Sequence, residues 1–390
     1  MTRVAMFMHG GLAPELSGED VPAIAALVSR LAGLFEVTVY TLKRPDGDRE
    51  PFSCGNAGVR VVRSGEDDHV VKTAPRLLHA FWYDHRRKPF GLVHGFWALP
   101  GGLTAVLAGW TARIPSIVTM LGGEAACFPE IGYGNMRKTG PRAATLWTCR
   151  HADTLTALTC YQLDHLQRFS GRKFRGTRVI PFGADDSLFP YSDRRPVPPP
   201  YRLLHIGHLN RVKDQATLLR AFQNIARRVD CRLTIIGQDT MNGSLQRLAG
   251  ELGISPQVTF EGFVPHEDLH RHLACAHLLL HSSLYEGEGV VFAEAASSGL
   301  PICGTHVGLL ADLGDALGAT VEPGDPDALA EAAIGLLSDG TRINKLREQG
   351  RNWALEHTAE WTTARFAELY RSLLRARQGM GTQEREWATA

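Results

Sequence analysis

Short apolar segments alternate with amphipathic segments along the first half of the chain, a pattern typical of strands and helices that follow each other. The predicted strands cover residues 4–8, 36–41, 59–62, 91–94, 116–120, 154–157 and 179–181, and the predicted helices cover 21–34 and 99–111. Such alternation favours a mostly parallel sheet with helices on both faces.

A proline-rich, polar stretch at 191–200 interrupts this pattern, and we interpret it as a stiff linker. The alternation then restarts, with strands predicted at 201–206, 231–236, 258–261 and 278–281 and helices at 214–229, 244–252, 269–274, 291–298, 327–337 and 341–375. The sequence therefore predicts an α/β protein with two doubly wound, Rossmann-like domains that face each other across a cleft. The first domain would span 1–190 and the second 201–358, and a polar, frayed tail would occupy 377–390.

Composition narrows the class of protein. The 390 residues suffice for two domains, and 44% hydrophobic with 21% charged residues is typical of a soluble globular chain. A net charge of +1 argues against a nucleic-acid partner held by bulk electrostatics. No apolar run approaches the roughly 20 residues that span a bilayer, and the short apolar start is better explained as a buried strand than as a signal peptide. The seven cysteines are scattered and never spaced as CxxC, which predicts reduced thiols in a cytoplasmic protein without structural zinc.

The most informative stretch is residues 286–294 (EGEGVVFAE), in which Glu286 and Glu294 flank a glycine-rich turn. A buried strand precedes this turn and a helix follows it, so the turn offers backbone N–H groups and the positive end of a helix dipole to a phosphate. The carboxylates are suited to accept hydrogen bonds from hydroxyl groups. Acidic residues also favour helix N-termini for dipole reasons alone, but that explains one of the pair more easily than both. Phosphate and polyol together indicate a nucleotide sugar.

A second strand, turn and helix start lie at residues 204–214, where Arg211 and Lys213 follow a turn at Gly207. A phosphate bound there would meet backbone N–H groups and two cations. The alternative is a solvated helix start with incidental charge. The acidic turn downstream favours the phosphate site.

Three features of the first half are candidates for the opposite wall of the cleft. Gly18 lies in a loop after the first strand that lacks the GxGxxG pattern of a dinucleotide site; we predict that this loop closes over the diphosphate, with a merely flexible loop as the alternative. Gly122, Gly123 and Glu124 open a long irregular stretch after a buried strand, which we interpret as an acceptor-binding wall rather than a surface insertion. His94 ends another strand and is an acceptor-site candidate, although a lone histidine is more often a hydrogen-bonded core residue.

Residues 81–88 interleave aromatic and cationic side chains. They are either a solvated helix face or a point of peripheral contact with a membrane surface or an anionic acceptor.

Four motifs in consistent order and spacing resemble those of the retaining glycosyltransferases of family 4, which have the GT-B fold. The resemblance covers nearly the whole chain and is strongest from about 204 to 330. The motifs are the glutamate-x7-glutamate signature at 286–294, the GRLxxxK segment at 207–213 (GHLNRVK), the VxFxG strand at 258–262 (VTFEG) and the EAxxxGxPV helix and turn at 294–302 (EAASSGLPI).

The resemblance implies sugar transfer from a nucleoside-diphosphate sugar, usually a UDP-sugar in this family, to a hydroxyl-bearing acceptor, with no other cofactor. Lys213 would neutralise the diphosphate with help from Arg211, Glu286 would lie against the donor sugar, and Glu294 would accept hydrogen bonds from the ribose. A last helix at 359–376 would pack back on the first domain. The further donor contacts that the resemblance implies are Gly18, Gly207, His208, Val258, Gly262, Gly289, Val290 and Val291.

Three departures from the family pattern concern catalytic detail and the donor sugar. His208 stands where the family has an arginine, Leu121 where it often has a histidine, and Glu288 where an aromatic residue is usual. Because no DxD-like cluster ends a strand, we expect cations and backbone amides rather than a metal ion to stabilise the leaving diphosphate. No second carboxylate is identified for a double displacement, so front-face attack assisted by the departing phosphate is the expected route.

Competing functions remain open at this stage. A catalytically weak or inactive nucleotide-sugar-binding relative and a GT-B sugar-nucleotide epimerase are the main alternatives. A phosphorylase would need a pyridoxal-phosphate lysine, and the missing GxGxxG disfavours a nicotinamide oxidoreductase. The expected location is cytoplasmic, with the inner face of the membrane as a further option; the sequence leaves the oligomeric state unknown.

Overall fold

The computed structural model describes residues 1–12, 21–42, 51–62, 70–193 and 196–387, which form two domains built on parallel sheets. The predicted fold class is confirmed: each domain alternates strands with helices that cover both sheet faces. Gly18 lies outside the described residues.

The first domain contains an eight-stranded sheet in the order β3-β4-β2-β1-β5-β6-β7-β8. Its strands are β1 Arg3–Met8, β2 Glu36–Thr41, β3 Phe52–Cys54, β4 Ala57–Val61, β5 Leu92–Phe96, β6 Ser116–Thr119, β7 Thr154–Ala157 and β8 Thr177–Val179, and its helices are α1 Pro22–Ala32, α2 Val70–His85, α3 Leu103–Ala112, α4 Thr139–His151 and α5 Cys160–Ser170. Neighbouring strands are parallel except β3 and β4, an antiparallel pair at one edge. The edge strand β3 was not predicted, since three half-exposed residues carry little periodicity.

The second domain contains a six-stranded parallel sheet in the order β11-β10-β9-β12-β13-β14. Its strands are β9 Tyr201–Ile206, β10 Cys231–Ile236, β11 Val258–Gly262, β12 Leu278–His281, β13 Ile302–Thr305 and β14 Gly318–Val321, and its helices are α6 Gln215–Ala226, α7 Ser244–Glu251, α8 Leu269–Cys275, α9 Val290–Ser297, α10 Gly308–Leu313, α11 Pro326–Ser338 and α12 Gly340–Glu356. This strand order reverses between β9 and β12, and ligands of such sheets bind where the order reverses, beyond the carboxyl ends of the strands.

Periodic apolar positions explain how the helices dock. In α1, Ile24, Leu27, Val28 and Leu31 recur at helical spacing and are all buried against the sheet. The strand β1 is buried on both faces and is correspondingly apolar throughout Val4–Met8. The sequence pattern was therefore sufficient to place these elements.

The chain crosses between the domains twice, at adjacent points. Phe182 belongs to the core of the first domain, whereas Ala184 and Phe189 belong to that of the second, so the first crossing lies near Gly183 and precedes the predicted linker at 191–200. The return crossing pairs Thr358 with Ala184, and the close approach of His357 leaves no room for a side chain at Gly183.

The last helix, α13 Ala359–Trp387, packs back on the first domain, where Phe366 and Tyr370 are fully buried. The single helical run predicted over 341–375 is interrupted at the return crossing, where the hydroxyl of Thr358 accepts a hydrogen bond from the Trp361 amide. The helix continues to Trp387, beyond the predicted limit of 376, and no proline interrupts its last turns.

Candidate active site

Two turns of the second domain lie side by side at the point where the strand order reverses. The basic turn, residues 207–214, follows β9, and the acidic turn, residues 282–289, follows β12. The Ser282 hydroxyl donates to the carbonyl oxygen of Lys213 at 2.8 Å, and the Leu284 amide donates to that of Val212 at 2.8 Å. The structure thus brings together the two motifs that the sequence singled out.

Lys213 and Glu286 form an ion pair between these turns, with Nζ and Oε1 separated by 2.6 Å. The same Glu286 oxygen accepts a hydrogen bond from the Ser283 hydroxyl at 2.6 Å and lies 3.3 Å from Nε2 of His281. Burial raises the pKa of the Glu286 carboxyl, but the Lys213 charge and the His281 ring outweigh burial and hold that pKa well below its usual range. Glu286 is therefore a carboxylate whose charge is already compensated.

The acidic turn ends in a helix start that requires glycine. Gly289 has φ = 81°, in the left-handed region, and a Cβ atom there would collide with the Phe292 ring. The helix α9 begins at the next residue, so the amides of Val290 and Val291 belong to its first turn, where N–H groups lack intrahelical partners. This helix start can donate hydrogen bonds to an anion.

Glu294, one turn further along α9, is almost fully buried and accepts a hydrogen bond from Nε2 of His266 at 2.7 Å. Both residues line a cavity of about 380 Å³ that also contacts α1 and the first crossing. Nothing in the sequence pattern pointed to His266, since it precedes Glu294 by 28 residues.

The remaining donor candidates of the second domain differ in position. Gly207 faces the stem of Lys213, and a Cβ atom on Gly207 would lie 3.4 Å from its Cε. His208 follows it, and burial together with the Lys213 charge lowers the pKa of its imidazole. Arg211 is exposed on the same turn.

Val258 and Gly262 occupy opposite ends of the edge strand β11. Gly262 lies at the carboxyl end, on the side of the two turns, and its carbonyl oxygen accepts a hydrogen bond from the Gly237 amide at 2.8 Å. Val258 begins the strand four residues earlier, roughly 13 Å away along an extended chain. The structure therefore does not bring Val258 to the edge where the turns lie.

In the first domain, the loop that holds Gly122, Gly123 and Glu124 reaches the acidic turn. The Leu121 carbonyl approaches Gly287 so closely that a Cβ atom there would collide with it. Glu124 is buried, and its carboxylate accepts hydrogen bonds from the amides of Gly122 at 2.6 Å and Leu121 at 3.1 Å. Burial raises the pKa of this carboxyl, and the backbone amides oppose that effect. Glu124 thus shapes the loop from within.

His94 lies in the core of the first domain. One ring nitrogen is 2.6 Å from the Tyr370 hydroxyl and the other is 2.6 Å from that of Thr119, and burial lowers the pKa of the ring to about 3. With both nitrogens occupied, the neutral ring has none left for an acceptor. This placement favours the core interpretation of His94, in which it docks α13 on the sheet.

The two domains are joined beside the acidic turn by contacts that the sequence did not suggest. The Thr159 hydroxyl donates to the Gly287 carbonyl at 2.6 Å. The carboxylate of Asp312, at the end of α10, accepts hydrogen bonds from the amides of Cys160 at 2.6 Å and Tyr161 at 2.8 Å. A second-domain carboxylate thereby caps the first turn of α5 in the first domain.

Glu288 is buried within the acidic turn, and within the described part of the chain neither of its carboxyl oxygens has a hydrogen-bond partner of normal geometry. Burial raises its pKa well above the ordinary value, the charge of Glu294 adds to that effect, and the nearby Phe182 amide opposes it. The surroundings of Glu288 therefore favour the protonated, uncharged form of its carboxyl group.

The aromatic and basic segment at 81–88 spans the end of α2 and the turn after it. The Tyr83 side chain is 53% exposed and lies under the Arg87 guanidinium, whose central carbon is 3.5 Å from the ring centroid. Trp110, at the end of the neighbouring helix α3, is 51% exposed. Among the helices described, none combines the length and the apolar character that crossing a bilayer requires.

Comparison with known families identifies both halves of the chain. Residues 193–353 match the family described as "Glycosyl transferases group 1", and residues 21–183 match the "Glycosyl transferase 4-like domain".

Individual relatives agree with these matches. The chain is 34% identical to a GDP-mannose-dependent alpha-(1-6)-phosphatidylinositol monomannoside mannosyltransferase of Mycolicibacterium smegmatis, over 94% of this chain and 98% of that protein. It is 29% identical to D-inositol 3-phosphate glycosyltransferase 1 of Catenulispora acidiphila, over 84% of this chain and 83% of that protein. The solved structure of sucrose-phosphate synthase from Thermosynechococcus elongatus superimposes with a TM-score of 0.81 at 22% identity, covering 96% of this chain and all (100%) of that chain. At this identity the superposition supports the fold alone.

Proposed function

The chain belongs to the group 1 glycosyltransferases of family 4 type, and we propose that it transfers a sugar from a nucleoside-diphosphate sugar to an acceptor hydroxyl, with retention of anomeric configuration and without a metal ion. The observation that carries this proposal is the Lys213–Glu286 pair beside the start of α9. A cation and a helix start on adjacent turns are suited to a diphosphate, and carboxylates next to them are suited to sugar hydroxyls.

The chemical step needs stabilisation of the negative charge that develops on the leaving diphosphate. The Lys213 cation and the amides of Val290 and Val291 would stabilise this charge within one site and without a metal ion. Glu286 is a poor nucleophile because Lys213 and Ser283, both bound to its Oε1 atom, compensate the charge of the carboxylate. This favours attack of the acceptor on the face that the diphosphate leaves, a route that retains configuration.

We propose GDP-mannose as the donor. A relative that is 34% identical over 94% of this chain is GDP-mannose-dependent by name, whereas a UDP-linked donor rests on the general habit of the family. UDP-sugars are therefore the second arm of the test.

We propose a lipid-linked sugar as the acceptor. The same relative supports this proposal, because the acceptor in its name is a phosphatidylinositol monomannoside. On the first domain, the exposed Tyr83 lies with Arg86 and Arg87 at the end of α2, and the exposed Trp110 lies with Arg113 at the end of α3. Exposed aromatic and basic side chains of this kind suit the interfacial region of an anionic bilayer. The protein would then act as a peripheral enzyme at the inner face of the membrane.

Donor use is tested by calorimetric titration of GDP and UDP, followed by transfer from radiolabelled GDP-mannose and UDP-glucose to phosphatidylinositol mannoside in anionic vesicles. We expect tighter binding of GDP, transfer of mannose that survives EDTA, and an α-linked product by NMR. Tight nucleotide binding without transfer to any acceptor would instead support an inactive sugar-nucleotide-binding relative, which the neutral His208 in place of an arginine favours. Conversion of the donor sugar without an acceptor would support an epimerase.

A further inference from the structure

His266 is a side chain of the candidate site that the chemistry above does not use. It begins a short turn after β11, and its Nε2 atom lies 2.7 Å from Oε1 of Glu294. The Phe189 ring packs edge-on against the imidazole, with 5.1 Å between ring centroids, and so restricts its orientation. Because one oxygen of Glu294 is held in this way, the direction of the other oxygen is fixed as well.

The cavity in front of this pair has the size and lining of a nucleoside pocket. Its volume of about 380 Å³ falls in the lower range of small-molecule sites. Apolar residues of α1 and the first crossing line much of it, and His266 and Glu294 contribute polar groups from the second domain. A carboxylate at such a wall is suited to the paired hydroxyls of a ribose.

We propose that His266 positions the Glu294 carboxylate for the ribose of the donor and makes nucleotide affinity depend on pH. This inference rests on the proposed function, since it assigns the cavity to the nucleoside of the donor. His266 is a positioning residue here, acting through Glu294.

The charges around His266 determine the direction of the pH effect. Burial lowers the pKa of the ring, but Glu294 on α9, Glu267 on the same turn and Asp185 in the first crossing outweigh burial and raise that pKa above its usual value. Asp185 is itself paired with Arg30 of α1 at 2.6 Å. Below the pKa of His266, the pair with Glu294 carries no net charge; above it, the pair is negative. An anionic nucleotide should therefore bind more weakly as the pH rises through that value.

The experiment titrates GDP and UDP into the full-length protein by calorimetry between pH 5.5 and 8.5. The variants are His266→Gln, which keeps an N–H donor without a titrating charge, His266→Ala, and the control His270→Gln, on the neighbouring turn, whose ring is bonded to the Glu267 carbonyl. Dividing the wild-type affinity by that of His266→Gln removes the titration of the nucleotide itself. Thermal unfolding of each variant separates loss of binding from loss of fold.

We expect the wild-type to His266→Gln affinity ratio to fall about fivefold from the acidic to the alkaline end of the range. We expect His266→Ala to bind nucleoside diphosphates about tenfold more weakly throughout the pH range, because the hydrogen bond to a charged group is lost. Parallel pH profiles for wild type and His266→Gln, or full affinity in a folded His266→Ala protein, would overturn the inference and leave the proposed function intact. A wild-type protein that binds no nucleoside diphosphate would overturn both.

Discussion

Lys213 compensates Glu286 in the resting site, so its removal should have two separable effects. Lys213→Ala leaves a buried carboxylate without its partner, which destabilises the fold by about 3–5 kcal/mol, and it also removes the cation proposed to face the diphosphate, which lowers turnover by roughly 10²–10³-fold. Thermal unfolding and transfer kinetics measure the two effects.

A double variant, Lys213→Ala with Glu286→Gln, distinguishes stability from chemistry. It removes the unpaired charge, so stability should return while turnover stays low. Turnover near the wild-type rate in a folded double variant would contradict the role of Lys213. Arg211→Ala provides the comparison on the same turn, and we expect a smaller loss because Arg211 is exposed.

Glu288 should destabilise the protein at neutral pH. Its pKa in the folded state lies well above the ordinary value of 4.5, so folding becomes less favourable as the pH rises above that value and the unfolded chain ionises. Glu288→Gln should therefore stabilise the fold by about 1–3 kcal/mol near pH 8 and by much less near pH 4.5.

Urea unfolding at the two pH values measures this difference, with the exposed Glu356→Gln as the control. An equal gain in the free energy of unfolding at both pH values would show that the folded protein does not raise the pKa of Glu288. Because Glu288 lies in the acidic turn and is expected to lower stability, it is also a good candidate for later tests of sugar selectivity.

At the scale of elements, the start of α5 is capped from the other domain by Asp312. Asp312→Ala removes this cap, which is worth about 1 kcal/mol, and should shift the ratio of closed to open molecules roughly fivefold. Small-angle scattering should then report a larger radius of gyration without ligand. The control is Asp315→Ala, because the Asp315 side chain is 92% exposed. An unchanged radius of gyration in Asp312→Ala would show that this cap does not hold the two domains together.

The sequence predicted most elements because their signals are local. Alternating apolar segments specified both sheets except for the strands β3, β13 and β14, which were not predicted. The glycine turns at 207 and 289 specified the basic and acidic turns. Periodicity alone predicted one helical run over 341–375, because both segments that flank the break at Thr358 are good helix formers and the return crossing is set by tertiary packing against Gly183. The separate last helix from 359 was implied by the family resemblance instead. His266 and Asp312 were missed for a related reason: their partners, Glu294 and the α5 amides, are distant in sequence, and a single polar residue carries no periodicity.

At the scale of the molecule, the first domain is completed by the last helix. Phe366 is fully buried among first-domain residues although it lies beyond the second domain in the chain. Phe366→Ala should destabilise the first domain by about 3–5 kcal/mol, visible in calorimetry as a separate transition at lower temperature. The surface variant Leu355→Ala, at a side chain that is 50% exposed, should change little. An equal loss of stability in the two variants would contradict the assignment of α13 to the first domain.

The two crossings, at Ala184 and Thr358, form a hinge, because the two chain segments that join the domains run side by side. Rotation about a hinge moves the parts of the two domains that are farthest from it most, and the parts beside it least. The cavity next to Phe182 and Ala359 lies beside this hinge. We therefore expect the nucleoside pocket to keep its width while the outer part of the cleft opens, so that donor enters a preformed pocket first and acceptor arrives last.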